Sequence, residues 1–283
     1  MKLNYTSEIC VFFLTTIYEF ENGELETAID YYLTELKKSN CKYSFDLFIF
    51  FDKSYSRRDF INLKKFKKSD HVDDVIIVSS KIKDKENLYE KNLKTDFPLK
   101  DLPLGRSHGI NFHFYKTINH LFKTKYENFL LLESDTKPMK SNWFQVVKTY
   151  IETNKDFKIA GSLYKGTNYE THRNSYYGGH LNGVGIYKNS LDTKNLINNS
   201  KKFLINELIE DHVKPKHEQK YWEFMNYDVA IYLYAKKFDE LHGYVDTDIF
   251  TNASAPEDSN LKELDILLKH PHTSFLHRKK LYE

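Results

Sequence analysis

The sequence predicts an α/β fold, and three observations carry that expectation. Apolar runs rich in β-formers alternate with helical stripes through the first half of the 283 residues; several of these runs end in polar or acidic side chains; and no repeat, low-complexity linker or clear boundary interrupts the chain. A chain of this length buries a substantial core whether it folds as one domain or two. We read one domain over 1–283, regular up to about Lys155 and more irregular beyond it.

Ile9 to Tyr18 reads as the first strand, and the helix over residues 24–38 follows, with Leu25, Ala28, Ile29, Tyr32, Leu33 and Leu36 at helical spacing. Residues 43–51 give a second strand ending at Asp52, then a polar helical stretch, and residues 73–80 give a third strand. The result is a doubly wound α/β half. Residues 83–104 are polar, contain Pro98 and Pro103, and read as a long loop. After Gly105 a stripe of Ile110, Phe114, Ile118, Leu121 and Phe122 forms a helix that delivers the chain into a strand at Phe129–Leu132. Pro138 then reads as a strand stop, and Ser141 as the N-cap of a helix carrying Trp143, Val146, Val147, Tyr150 and Ile151. Further on, residues 157–164 are expected as a strand, 176–187 as a glycine-rich strand and turn, 201–212 and 225–240 as helices, and 273–277 as a short strand closing in His277.

Composition removes several classes of function. The 42 basic residues nearly balance the 40 acidic ones, so no strong field selects nucleic acid or an anionic membrane. The cluster KKFKK at 64–68 reads as the solvated face of a short helix. Cys10 and Cys41 have no CxxC partner, which excludes zinc ribbons and disulfide scaffolds and points to a reducing, cytoplasmic setting. The apolar run at 9–18 is too short to span a bilayer, and no small-residue cleavage site follows it.

The chemistry concentrates in NFLLLESDTKP, residues 128–138, where an apolar strand ends in Glu133 and Asp135. Residues i and i+2 of a strand share a face, so both carboxylates project together if the extended geometry continues. Two such groups repel, and one takes up a proton unless a cation lies between them. Hard oxygen ligands of this kind suit Mg²⁺ or Mn²⁺. The alternative is that Glu133 caps a neighbouring helix and Asp135 ends the strand in an Asx turn.

Two other stretches carry candidate groups. In GGHLNGVGIY, Gly178, Gly179, Gly183 and Gly185 allow close backbone approach to a ligand, while His180 and Asn182 offer donors and acceptors matched to sugar hydroxyls; a structural hairpin is the alternative. Asp228 begins a helix after a loop containing Trp222, whose indole is a platform for a sugar ring. We nominate Asp228 as a general base, with Glu257 and Asp258 as weaker candidates; a carboxylate at a helix N-terminus is also common for dipole reasons alone.

In order along the chain, the β/α first half, the acidic strand end, HLNGVGIY and FLHRKK at 275–280 resemble a GT-A type glycosyltransferase. The resemblance implies a Rossmann-related mixed central sheet flanked by helices, with a donor half over about 1–165 and an acceptor half over about 166–283. In that superfamily a DxD or ExD element holds Mn²⁺ or Mg²⁺ against the diphosphate of a nucleotide sugar. Carried onto this sequence, it implies a metal set of Glu133, Asp135 and His277, with Asp135 also catalytic and His270 and His272 competing with His277. Because Glu133 stands where many relatives have Asp, its metal contact is expected directly or through water or the ribose. The resemblance places Thr15, Thr16 and Asp52 at the base and ribose, and Lys280 at the diphosphate. Arg106 and Asn111 are expected at phosphate or donor sugar, with simple helix capping as their alternative, and His180, Asn182 and Gly183 at the donor sugar or acceptor. The implied partners are a UDP- or GDP-sugar and a glycan or other hydroxyl acceptor, with no nucleic acid. Competing readings are a nucleotidyltransferase, opposed by the absence of a glycine-rich basic signature in TTIYEFENGE, a non-catalytic sugar-binding protein on the same fold, and a Mg²⁺ nuclease, opposed by the absence of a basic groove pattern.

Overall fold

The computed structural model describes residues 8–53, 59–82, 104–105, 107–164, 179–215, 225–253 and 261–277. Its strands are β1 (Ile9–Thr15), β2 (Phe45–Phe51), β3 (Val72–Ser79), β4 (Asn128–Leu132), β5 (Thr136–Pro138), β6 (Ile159–Leu163), β7 (Leu181–Lys188), β8 (Tyr244–Asp246), β9 (Phe250–Asn252) and β10 (Phe275–His277). The helices are α1 (Ile17–Glu21), α2 (Glu24–Lys38), α3 (His108–Leu121), α4 (Trp143–Thr153), α5 (Leu191–His212), α6 (Tyr227–Lys237) and α7 (Glu263–Lys269), with a 3₁₀ helix over Asp59–Lys68.

Among the described residues, seven strands form one sheet in the order β3-β2-β1-β4-β7-β6-β8. β7 pairs antiparallel with both neighbours and the other pairings are parallel, so the sheet is mixed. Strands covered on both faces need apolar residues throughout, and β1 and β4 are buried along their whole length. The period of two divides β1 between two layers. Cys10, Phe12 and Leu14 pack with Phe114, Ile118, Leu196, Leu204 and Ala230 of α3, α5 and α6. Ile9, Val11 and Phe13 pack on the other side with Leu25, Ile29, Leu36, Trp143 and Val147 of α2 and α4. In α2 the six buried positions are the six of the predicted stripe.

The order of the first four strands creates a crevice. From β1 the chain steps to β2 and β3 on one side and then returns to β4 on the other, so β1 and β4 flank a topological switch point, where open α/β sheets bind ligands. A small sheet, β5-β10-β9, closes this end of the molecule and sets His277 opposite Thr136 and Asn252. Aromatic packing braces it: the Phe275 ring lies 5.7 Å from Trp143 and 4.9 Å from Phe250, and Trp143 Nε1 donates to the Tyr32 carbonyl at 3.2 Å.

Several boundaries differ from expectation. The first strand ends at Thr15, because Thr16 caps α1: its hydroxyl accepts from the Glu19 N–H while the Glu19 carboxylate accepts from the Thr16 N–H, a reciprocal capping box. The helix expected at 201–212 begins at Leu191, where the Ser190 hydroxyl accepts from the Thr193 N–H. The cap of α4 is Asn142 rather than Ser141. Pro138 ends the separate strand β5 instead of β4, and β5, β8, β9 and α7 are too short to have shown a period. Residues 83–103 lie outside the described residues. The KKFKK lysines are surface groups: Lys65 pairs with Glu26 at 2.6 Å and Lys67 with Asp74 at 3.0 Å. No helix among the described residues is long and apolar enough to cross a membrane.

Candidate active site

Past Leu132 the extended geometry stops. The Thr136 N–H donates to the Glu133 carbonyl at 3.0 Å, closing a turn with Ser134 and Asp135 at its corners. The convergence of the two acids therefore comes from a turn, not from a continued strand as the spacing suggested. His277, at the end of β10, completes the group: one ligand atom from each of Glu133, Asp135 and His277 lies within 4.8 Å of the others. His277 Nε2 is 3.0 Å from Asp135 Oδ1 and 3.2 Å from Glu133 Oε2. The pairing of β10 with β5, just beyond the turn, brings together residues that are 142 positions apart in sequence.

The charges explain why the group holds together. Burial pushes the Glu133 carboxyl up, with Asp135 and Glu19 acting in the same direction against His277. Burial pulls the His277 imidazole down, but Asp135 and Glu133 overturn this and push it up to about 10. The other ring nitrogen, Nδ1, lies against the Asn182 side-chain amide, and Asn182 Oδ1 accepts from the Gly183 N–H at 2.8 Å. A partner on the remote nitrogen fixes the ring plane, the usual arrangement for an imidazole that ligates a metal. The donor set, two carboxylate oxygens and one imidazole nitrogen, fits a divalent cation.

The two acids, Glu133 and Asp135, line a cleft of about 870 Å³ at the carboxyl ends of β1, β2 and β4, and His277 stands behind them. Thr16, Asp52 and Lys53 line one side, Asn182 and Asp228 the other, and Tyr18 stands on its rim, 69% exposed. Volume and position suit a small molecule with polar groups.

No protein-family model matches the sequence, and no curated protein matches it. Among solved structures, apo mouse xyloside xylosyltransferase 1 superposes with a TM-score of 0.55 at 10% identity, covering 96% of this chain and 98% of that one. The fold is that of the GT-A glycosyltransferases. Apo glycosyltransferase GlyE from Streptococcus pneumoniae TIGR4 matches at a TM-score of 0.46 and 11% identity over 96% of this chain and 54% of that one, so the chain spans about half of GlyE. Core-mannan synthase A of Aspergillus fumigatus, in a Mn/GDP form, matches at a TM-score of 0.45 and 10% identity over 82% and 70%.

Within this GT-A fold the predicted residues occupy distinct positions. Thr16 and Asp52 line the cleft, but their polar atoms are engaged locally: Asp52 Oδ1 accepts from the Ile17 and Lys53 N–H groups at 3.0 and 2.9 Å. Thr15 is buried, and its hydroxyl donates to Glu19 at 3.1 Å. Asn111 is fully buried behind the cleft, its amide donating to the carbonyls of Leu104 and Met225 at 3.1 and 2.8 Å. It clips two segments together, and its neighbour Ile110 reaches the cleft. His180 stacks on Tyr164 at 4.9 Å and lies 3.9 Å from Asp228 Oδ2. Asp228 faces the cleft from the first turn of α6. At Gly183 an added Cβ would lie 1.9 Å from Tyr227 Oη, so the glycine admits that ring beside Glu133. Arg106, Lys280, Gly178, Trp222, Glu257 and Asp258 lie outside the described residues.

Sequence reasoning missed Glu19, Ser134 and Tyr227. Thr16-x-x-Glu19 was legible as a capping box, an [ST]-x-x-[DE] pattern that overlaps the end of what looked like strand. Ser134 and Tyr227 carried no comparable signal.

Proposed function

We propose that this chain is a metal-dependent glycosyltransferase that moves a sugar from a UDP- or GDP-sugar to a saccharide or other hydroxyl acceptor. The observation that carries the reading is the convergence of Glu133, Asp135 and His277 at the rim of the switch-point cleft. These three would hold the cation, and the imidazole in the set favours Mn²⁺ over Mg²⁺, which takes oxygen ligands. When bound, the cation supplies positive charge to the diphosphate as it departs from the anomeric carbon. Asn182 keeps the His277 ring in plane for that contact. Thr16, Asp52 and the exposed Tyr18 face flank the volume a nucleoside would fill. Asp228 faces the same cleft and would take the acceptor proton if the reaction inverts configuration, with His180 packed beside it. Residues up to about 165 then serve the donor, the remainder mainly the acceptor. Arg106 is proposed at the phosphate or donor sugar on its sequence context alone, and Lys280 at the diphosphate on the resemblance alone. The two free cysteines fit a cytoplasmic setting.

A thermal-shift series tests this reading. UDP- or GDP-sugars should raise the melting temperature in the presence of Mn²⁺ and much less after EDTA, since a ligand that binds only the folded state stabilises it by mass action. Equal shifts with and without metal would remove the metal from the reading, and no shift with any nucleotide sugar would remove the reading itself.

A further inference from the structure

The β1–β4 ladder stops at the pair Phe13↔Leu132, and beyond it the two chains diverge around the switch-point crevice. One carboxylate spans the gap. Glu19 Oε2 accepts from the Thr16 N–H at 2.7 Å, the Thr16 hydroxyl at 2.9 Å and the Thr15 hydroxyl at 3.1 Å, all on the β1 side. Glu19 Oε1 accepts from the hydroxyl of Ser134, on the β4 side. Ser134 is buried and sits between the two acids of the triad, at a corner of the turn that aims them. A carboxylate has about four acceptor directions, so these donors fill Oε2 and commit Oε1 to the turn. A capping box at a short helix needs only the Thr16 contacts; the bond to Ser134 is extra to it.

We propose that Glu19 is a positioning residue for the metal site. It is not a ligand but a clamp across the crevice, fixing the Glu133–Thr136 turn through Ser134 and tying it to the β1 end that faces the nucleoside volume. The inference rests on the metal reading above. Hydrogen bonds to the supports of a metal site orient ligands without touching the ion, and losing one typically costs about 10- to 100-fold in metal affinity.

The test is a double-mutant cycle on Mn²⁺ affinity, measured without nucleotide by the loss of the free-ion electron paramagnetic resonance signal, with circular dichroism and melting temperature recorded for each variant. Glu19→Gln replaces one acceptor oxygen by an amide that only donates, and Ser134→Ala removes the same bond from the other side. Each should weaken Mn²⁺ by about 10-fold or more, and the double variant should lose no more than the worse single, because one interaction has been removed twice. Should Glu19→Gln fail to fold, Ser134→Ala alone decides. Unchanged affinity in Ser134→Ala, or losses that multiply in the double variant, overturns the clamp. Asp135→Asn serves as the reference: if it too retains Mn²⁺, the metal reading is what has failed, whereas its loss of Mn²⁺ beside an intact Glu19→Gln overturns the clamp alone.

Discussion

Asp135 and Asp228 both reach the cleft, yet the roles proposed for them separate cleanly when each is altered. Asp135 is half-exposed at a turn corner, so its removal leaves no hole in the core. We expect Asp135→Asn to fold normally, to lose the Mn²⁺-dependent part of the nucleotide-sugar shift, and with it turnover. Asp228→Asn should keep the Mn²⁺-dependent shift and lower transfer by about 10²- to 10⁴-fold, the usual contribution of a positioned base. Calorimetric Mn²⁺ titration beside donor turnover separates the two. Wild-type turnover in Asp228→Asn would remove it as the base. The acids themselves were readable because two carboxylates at the end of an apolar run conflict unless something resolves the conflict. His277 was not readable that way. Only the resemblance pointed to it, since the contact spans 142 residues and depends on a three-residue strand.

At the scale of elements, β7 shows how much a strand with little periodicity can contribute. It runs antiparallel to β4, so its N-terminal end, carrying Asn182 and Gly183, meets the C-terminal end of β4. Gly183 faces Tyr227, whose ring stacks on Phe114 at 3.6 Å and 6° and so cannot simply swing away. Gly183→Ala should cost about 1–3 kcal/mol through overpacking, because the added Cβ would meet the Tyr227 hydroxyl at 1.9 Å, whereas Glu133 Oε1 at 3.5 Å is in ordinary contact. Adding Tyr227→Phe should restore part of the stability, since it removes the hydroxyl in the tightest contact; the ring carbon at 2.9 Å remains. Urea unfolding of the two variants checks this, and a Gly183→Ala protein as stable as wild type would refute the packing argument. The elements legible in sequence were those with long periods, such as α2 and α3. The small sheet that positions His277 and the capped α1 were hidden because three to five residues carry no period, and Thr16 and Ile17 have strand propensity that the cap overrides.

Across the whole molecule, the alternation of strand and helix conveyed the α/β class, and the paired acids located the working end of the sheet. What the sequence could not convey was which polar residues the core would swallow. His113 lies on α3, expected as an ordinary amphipathic helix, yet it is fully buried against the sheet. Burial drives its imidazole down to about 3, with a backbone hydrogen bond at Phe50 acting weakly the other way. The sign follows from linkage. Between the ordinary histidine value near 6.5 and about 3, the unfolded chain binds a proton that the folded chain does not, so stability is complete above the upper value and declines as pH falls. The slope from this one group approaches about 1.4 kcal/mol per pH unit. His113→Gln removes the group, so its stability gap to wild type should be widest at pH 7 and should narrow steadily as the pH falls from 6.5 toward 4. Urea unfolding at a series of pH values measures that gap, and one that stayed constant would mean that His113 is protonated, or solvated, inside the fold.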